Sequence, residues 1–290
     1  MRSQKHLRDE LRFMTEFGAL FDVVEQGAVS HLRRLEEYLT GYIPVSERLE
    51  REFFPLLPPA AQQHPLVRGG TQGRLLVVFT SDEGLVGFLH TVVIREALGK
   101  ADPKTQWVFV GQRGMRLLSG QIGQARVIPI PVEEDAASQL RRVSQFVVQQ
   151  ATRSGLRDAW LISPRFLSMT RQDVCARQLL PLPVRAPSAA RGIQDLIIEP
   201  SLGRVVERLA ALWVEAVCLD SFWSSRQAEF AARTLHIESS RLELAKRTKA
   251  IQHEFFKTLH ERVDVMVRET CVVQRHVSKR SAARARGAQG

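Results

Sequence analysis

The sequence predicts an α/β protein with long terminal helices, in which the N- and C-terminal helices pair as an antiparallel coiled coil beside a central α/β domain. Two observations carry that prediction. Ser201 to Val273 contains a single glycine, Gly203, and no proline, while Leu209, Leu212, Trp213, Ala216, Leu242, Ile251, Phe255, Leu259, Val263 and Met266 recur at helical spacing. Unbroken, that helix would extend about 100 Å against roughly 30 Å for a small domain, so its apolar seam needs a second long helix as cover. Ser3 to Phe54 supplies one, with Leu7, Leu11, Met14, Leu20, Phe21, Val24, Ala28, Leu32, Leu35 and Leu39 at similar spacing. The intervening chain has to return before the second helix begins, which favours antiparallel pairing.

The central domain follows a break marked by Pro55, Pro58, Pro59, Pro65, Gly69 and Gly70, and Pro44 interrupts the first helix near its end. Arg74 to Thr80 is a short apolar run of the buried-strand kind, followed by the Ser81-Asp82-Glu83-Gly84 turn and a helix over Leu85 to Leu98. A strand at Gln106 to Gly111, a short helix at Arg113 to Ser119, a strand at Arg126 to Ile130, a helix at Glu133 to Ser154 and a strand at Asp158 to Ser163 continue the alternation. Such alternation implies a mostly parallel, Rossmann-like sheet. Phe166 to Leu180 reads as an irregular or edge strand, Pro181 to Ala190 as a loop, and Ile193 to Ile198 as the last strand. The expected boundaries are 1–58 for the N-terminal helix, 74–199 for the α/β domain, 201–273 for the C-terminal helix and 274–290 for a basic disordered tail.

The 290 residues carry a formal net charge of +10. From Arg275 onward there is no acid, and the Ala/Gly/Ser background there offers nothing for a core. A basic tail can bind nucleic acid or an anionic membrane, but a solvated solubility segment is the commoner case. Cys175, Cys218 and Cys271 are odd in number and widely spaced, which suggests neither a disulfide scaffold nor a zinc site and fits a reducing cytosol. No apolar run reaches the roughly 20 residues that span a bilayer.

The turn at Ser81 sits where α/β sheets bind ligands, yet it lacks the glycines that let a backbone approach a pyrophosphate and the Gly-Lys-Ser/Thr of a phosphate loop. Capping of the following helix by Ser81 or Asp82 is the expected role. His31, His236, His253 and His260 lie on the long helices without a second histidine at metal-binding spacing, and no serine or cysteine stands in a nucleophile motif. No catalytic, cofactor-binding or metal residue is expected. Glu133-Glu134-Asp135 open a helix and complement its dipole.

Taken in order, several short segments resemble the gamma subunit of F-type ATP synthases, the central rotor shaft. Leu76 to Phe88 is similar to that family's apolar strand followed by Thr/Ser-Asp-Arg-Gly-Leu-Cys-Gly-Gly, with Glu83 at the arginine position. Val110-Gly111-Gln112-Arg113-Gly114 resembles its Gly-x-Lys-Gly turn, Gln178 to Pro183 its Gln-Leu-Leu-Pro-Leu, Ile198-Glu199-Pro200 its Tyr-Glu-Pro, and Ser225 to Arg233 its Ser-Glu-x-Ala-Ala-Arg. The likeness runs to Val273.

The resemblance implies a non-catalytic rotor subunit without cofactors. Its partners would be the alpha and beta subunits of F1, the epsilon subunit and the F0 c-ring, on the cytoplasmic face of a bacterial membrane, with no nucleic acid. Departures point to a divergent branch such as the alternate N-ATPase type, coupling protons or sodium. Glu16 to Val24 stands where the family has a run with two lysines, and Thr258 to Asp264 replaces its Ala-Arg-Gln-Ala-x-Ile-Thr. The implied rotor–stator contacts are therefore Phe17, Asp22, Val24, Ser81, Asp82, Glu83, Leu259, His260, Arg262 and Asp264, with Phe17, Gly18, Ala19 and Asp22 expected opposite Leu259, His260 and Arg262. Two readings of other classes remain: a nucleic-acid-binding coiled coil using the basic tail, which would bind with strong salt dependence, and a nucleotide-binding α/β enzyme with a helical arm, which would bind nucleotide saturably.

Overall fold

The computed structural model describes residues 3–123, 125–184 and 197–287, with side chains through residue 275. The helices are α1 (Gln4–Tyr38), α2 (Val45–Arg48), α3 (Pro65–Arg68), α4 (Leu89–Lys100), α5 (Gln112–Leu117), α6 (Ala136–Ser154) and α7 (Leu202–Gly287). The strands are β1 (Gln72–Phe79), β2 (Gln106–Val110), β3 (Ala125–Ile128), β4 (Leu156–Ser168) and β5 (Arg171–Leu180). The chain divides into two compact bodies, Glu25–His236 and Met1–Val24 with Ile237–Gly290, and α1 and α7 each contribute to both.

In the larger body the five strands lie in the order β3-β2-β1-β4-β5, parallel except for the antiparallel β4–β5 pair. Both faces are covered, which is why β1 reads as a continuous apolar run. Leu75, Val77 and Phe79 point to one face, packed with Leu140, Val143 and Val147 of α6 and Val206, Ala210, Trp213 and Val217 of α7. Leu76 and Val78 point to the other, against Val93, Ile94 and Ala97 of α4. Each such fully buried side chain contributes about 1.5–3 kcal/mol. Trp213 anchors the first face: its Nε1 donates to the Leu179 carbonyl at 3.0 Å and its ring meets Phe54 edge-on at 5.3 Å. The second half of α1 runs antiparallel to α7, with His31 stacked on Phe230 at 4.9 Å and Tyr38 against Trp223 at 5.0 Å.

In the smaller body the same two helices are again antiparallel. Leu7, Phe21, Ile237 and Ile251 are buried. Asp22 pairs with Arg241 at 3.5 Å, and Arg262 Nη1 donates to Gln4 Oε1 at 2.7 Å.

Several expectations need correction. The first helix stops at Tyr38, short of Phe54, because Gly41 takes a positive φ of 78° and Pro44 lacks the amide hydrogen that a helix interior requires. Residues 45–68 form short helical turns that bury Leu49, Phe54, Leu57 and Leu66 in the larger body's core. β4 runs to Ser168 because β5 pairs with its far half. β5 is an edge strand, as expected. The helix expected from Leu85 starts at Leu89, since Leu85 and Gly87 both have positive φ. α7 is helical through Gly287, including residues 274–287, where a disordered tail is expected from the sequence. Of the strand expected at Ile193 to Ile198, 193–196 lie outside the described residues and 197–198 form no strand; 185–190 of the Pro181 to Ala190 loop lie outside them too.

The helical register is a further correction. Phe17, Gly18 and Asp22 do not face Leu259, His260 and Arg262: Asp22 meets Arg241, Gly18 lies against Leu244, and Arg262 reaches back to Gln4. A seam that repeats every seven residues fits several shifts equally well, and polar contacts decide among them.

Candidate functional site

The carboxyl end of β1 is the candidate site, since β1 lies at the switch point where its neighbours β2 and β4 leave in opposite directions across the sheet. Thr80 ties the strand to the next turn. Its Oγ1 donates to the Gly111 carbonyl at 3.1 Å and accepts from the Gly114 amide at 3.0 Å. Gly111 has φ +99°, and a Cβ there would collide with the Thr80 carbonyl, so this crossing admits only glycine.

Ser81 Oγ donates to the Glu83 carbonyl at 2.7 Å and lies 2.6 Å from His90 Nε2, which also accepts from the Ser81 amide at 3.4 Å. Burial, then the charges of Arg113 and Arg233, push the imidazole down to about 4, so His90 is neutral at physiological pH. A serine beside a histidine has the outline of a nucleophile and its base, but the two are 1% and 3% exposed, closed off from any substrate. The pair is a buried fastening.

Asp82 does not cap α4. One carboxylate oxygen accepts from the Gln112 amide at 2.7 Å and the other from the Ile130 amide at 3.1 Å, so Asp82 caps α5 from across the sheet. With the amides of Ser81, Gln112, Gly114 and Ile130 all engaged within the protein, this switch point offers a phosphate none of them.

Glu83 leads to a charged cluster; the motifs mark Glu83 and Ser225 to Arg233 separately and give no sign of their contact. Its Oε2 lies 3.0 Å from Arg233 Nη2, and Arg233 Nε donates to the Gly84 carbonyl at 3.3 Å. Arg226 Nη1 donates to Glu229 Oε2 at 2.9 Å, and Arg226 Nη2 lies 3.4 Å from Glu133 Oε1 in the turn before α6. Both guanidinium groups also lie over the Phe230 ring, at 4.7 and 5.2 Å. Glu229 is fully buried, and burial pushes its carboxyl up to about 7 even though Arg226 and Arg233 oppose the shift. The signal was the 226, 229, 233 spacing, which sets one acid between two bases on one helix face.

The other candidates lie in the smaller body. Phe17 stacks on Phe13 at 5.6 Å and meets Phe21 edge-on at 4.8 Å, Asp22 pairs with Arg241, and Val24 and Leu259 are half-buried. His260, Arg262 and Asp264 are exposed, Arg262 bonded to Gln4.

A family profile described as ATP synthase matches residues 3–258. The ATP synthase gamma chain of Ralstonia nicotianae is 27% identical over 256 residues, covering 83% of this chain and 87% of that one. That of Herminiimonas arsenicoxydans is 27% identical over 258 residues with the same coverage. Among solved structures, a chain of the Euglena gracilis mitochondrial ATP synthase OSCP/F1/c-ring, rotational state 3, matches with a TM-score of 0.72 at 14% identity, covering 93% of each chain. A chain of the Tetrahymena thermophila mitochondrial ATP synthase central stalk and c-ring gives 0.56 at 17% identity, over 76% of this chain and 99% of that one. Leu259, His260, Arg262 and Asp264 lie beyond the segment matched by the family profile.

Proposed function

The chain belongs to the ATP synthase gamma-chain family, and we infer that it is the central-stalk shaft of a rotary ATP synthase, coupling ion flow through F0 to ATP synthesis or hydrolysis in F1. The observation that carries this reading is the outward apolar surface of the helical pair. Phe13, Leu20 and Val23 on α1 and Leu242, Phe256 and Met266 on α7 are more than half exposed, as suits a shaft sheathed by other subunits.

Two different helices side by side are asymmetric about their common axis. Turning inside a ring of alpha and beta subunits, such a pair offers a different face to each catalytic site and shifts their conformational populations in turn. The chemistry then belongs to the ring, and this chain is non-catalytic. The larger body would rest on the epsilon subunit and the c-ring, at the cytoplasmic face of a bacterial membrane. Among the described residues no helix is long and apolar enough to cross a membrane, which suits peripheral attachment through the complex.

Phe17, Asp22, Val24, Leu259, His260, Arg262 and Asp264 are the proposed contacts with the collar of the ring, and Ser81, Asp82 and Glu83 those at the domain's rim. The departures at Glu16 to Val24 and Thr258 to Asp264 support a divergent branch. Co-expression with its alpha and beta subunits tests the reading: the chain should co-purify at one copy per ring of three alpha and three beta, and a ring that never retains it would overturn the assignment.

A further inference from the structure

Two turns of the α/β domain are fastened to α7 by the same short charged segment. Arg233 holds the turn after β1 through Glu83 and the Gly84 carbonyl, and Arg226 holds the turn before α6 through Glu133. Between the two arginines lies Glu229, completely buried, with Oε2 on Arg226 and Oε1 without a hydrogen-bond partner among the described residues. A buried carboxylate oxygen with no donor is a poor place for negative charge and a good one for a proton.

We propose that Glu229 is a proton-binding group whose protonation tightens the Arg233 clamp on the 82–84 turn, so that the turn's hold on α7 varies with pH. Ionised, Glu229 gives Arg226 and Arg233 a competing partner and repels Glu83. Protonated, it leaves Glu83 as the acid paired with Arg233 and Glu133 as the acid paired with Arg226, and both ion pairs to the turns strengthen. The carboxyl's rise to about 7, caused first by burial and in small part by Glu83, brings the change into the physiological range.

The groups around Glu229 are Arg226 and Arg233 on its own helix, Glu83 on the turn after β1 and Glu133 on the turn before α6. Beyond them, α1 contributes His31, stacked on Phe230 and bonded to Arg34, while His90 of α4 and Arg113 of α5 flank Arg233. His90 is neutral down to about 4 and does not change charge around pH 7, while His236 of α7 lies against Gly87 of the turn, so the profile is read in a His236→Gln background. The clamped turn contains Leu85 in the left-handed region at φ +64°, a conformation that needs outside support.

Hydrogen–deuterium exchange of the full chain, corrected for intrinsic rates, reads the clamp at the amides of residues 82–88. Protection there should rise about fivefold between roughly pH 8 and pH 6. Glu229→Gln should hold the protected level across that range, and Glu83→Gln should hold the unprotected level. A flat profile in the His236→Gln parent, or a slope there that survives in either variant, would overturn the proposal. Because Glu83 is exposed, the Glu83→Gln arm stands even if Glu229→Gln fails to fold.

Discussion

Arg262 and Gln4 are joined by a 2.7 Å hydrogen bond that sets Gln4 of α1 opposite Arg262 of α7 in the smaller body. From Gln4 to Asp22 along α1, the partner on α7 moves back from Arg262 to Arg241, close to one residue for one. A cysteine at Gly18 would lie against the Leu244 position, where a Cβ is 3.6 Å from the leucine Cδ2. In a background with the exposed Cys271 replaced by serine, Gly18→Cys with Leu244→Cys should form a disulfide under mild oxidation, and Gly18→Cys with Leu259→Cys should not. The reverse pattern on a non-reducing gel would refute the register.

Gly111 makes a second point of control. With φ at +99° and the Thr80 carbonyl in the way, Gly111→Ala has to move either the end of β1 or the start of α5. Left-handed strain and the clash together should cost at least about 2 kcal/mol. Urea unfolding at neutral pH measures it as a lowered midpoint. An unchanged midpoint would mean that the crossing is looser than its hydrogen bonds indicate.

Acid should reveal two opposing linkages. His90 is held near 4 against 6.5 when unfolded, so between those values the unfolded chain binds more protons and stability falls as pH falls, by on the order of 3 kcal/mol across the window. Glu229 is held near 7 against 4.5, so the native chain binds more protons there and stability falls as pH rises from 4.5 to 7. The wild type should therefore vary little between about pH 4.5 and 6.5. Replacing His90 with glutamine, which can still accept from Ser81, should leave the Glu229 slope alone and make stability rise on acidification in that interval. Thermal unfolding across it checks the sign, and a profile that keeps the wild-type shape would contradict the burial of neutral His90.

Much of the architecture was legible in the chain, and the reasons differ by element. β1 is readable because both its faces are buried, which leaves an uninterrupted apolar run ending at Thr80. α7 is readable because apolar residues keep helical spacing over a stretch without proline and far longer than a strand. Register was not legible, because the apolar seam repeats while the contacts that choose one alignment, Asp22 with Arg241 and Arg262 with Gln4, involve side chains that look like ordinary surface charges. The clamp was hidden for a related reason. Arg226, Glu229 and Arg233 have the spacing of a solvated helix face, and their ion pairs to Glu133 and Glu83 come from elements distant in the chain. Asp82 gives the same lesson: a turn acid beside a helix suggests a local cap, whereas its partners are 30 and 48 residues away.

As the shaft proposed above, this chain turns inside a ring of catalytic subunits and is not a fixed part of it. Rotation of a single complex tests that directly: the alpha and beta ring is fixed to glass, and a bead is attached through a cysteine introduced at Lys104, an exposed position just before β2. Added ATP should drive the bead unidirectionally in three steps per turn. A complex that hydrolyses ATP at full rate while the bead only fluctuates about one orientation would show that this chain is not the rotating shaft.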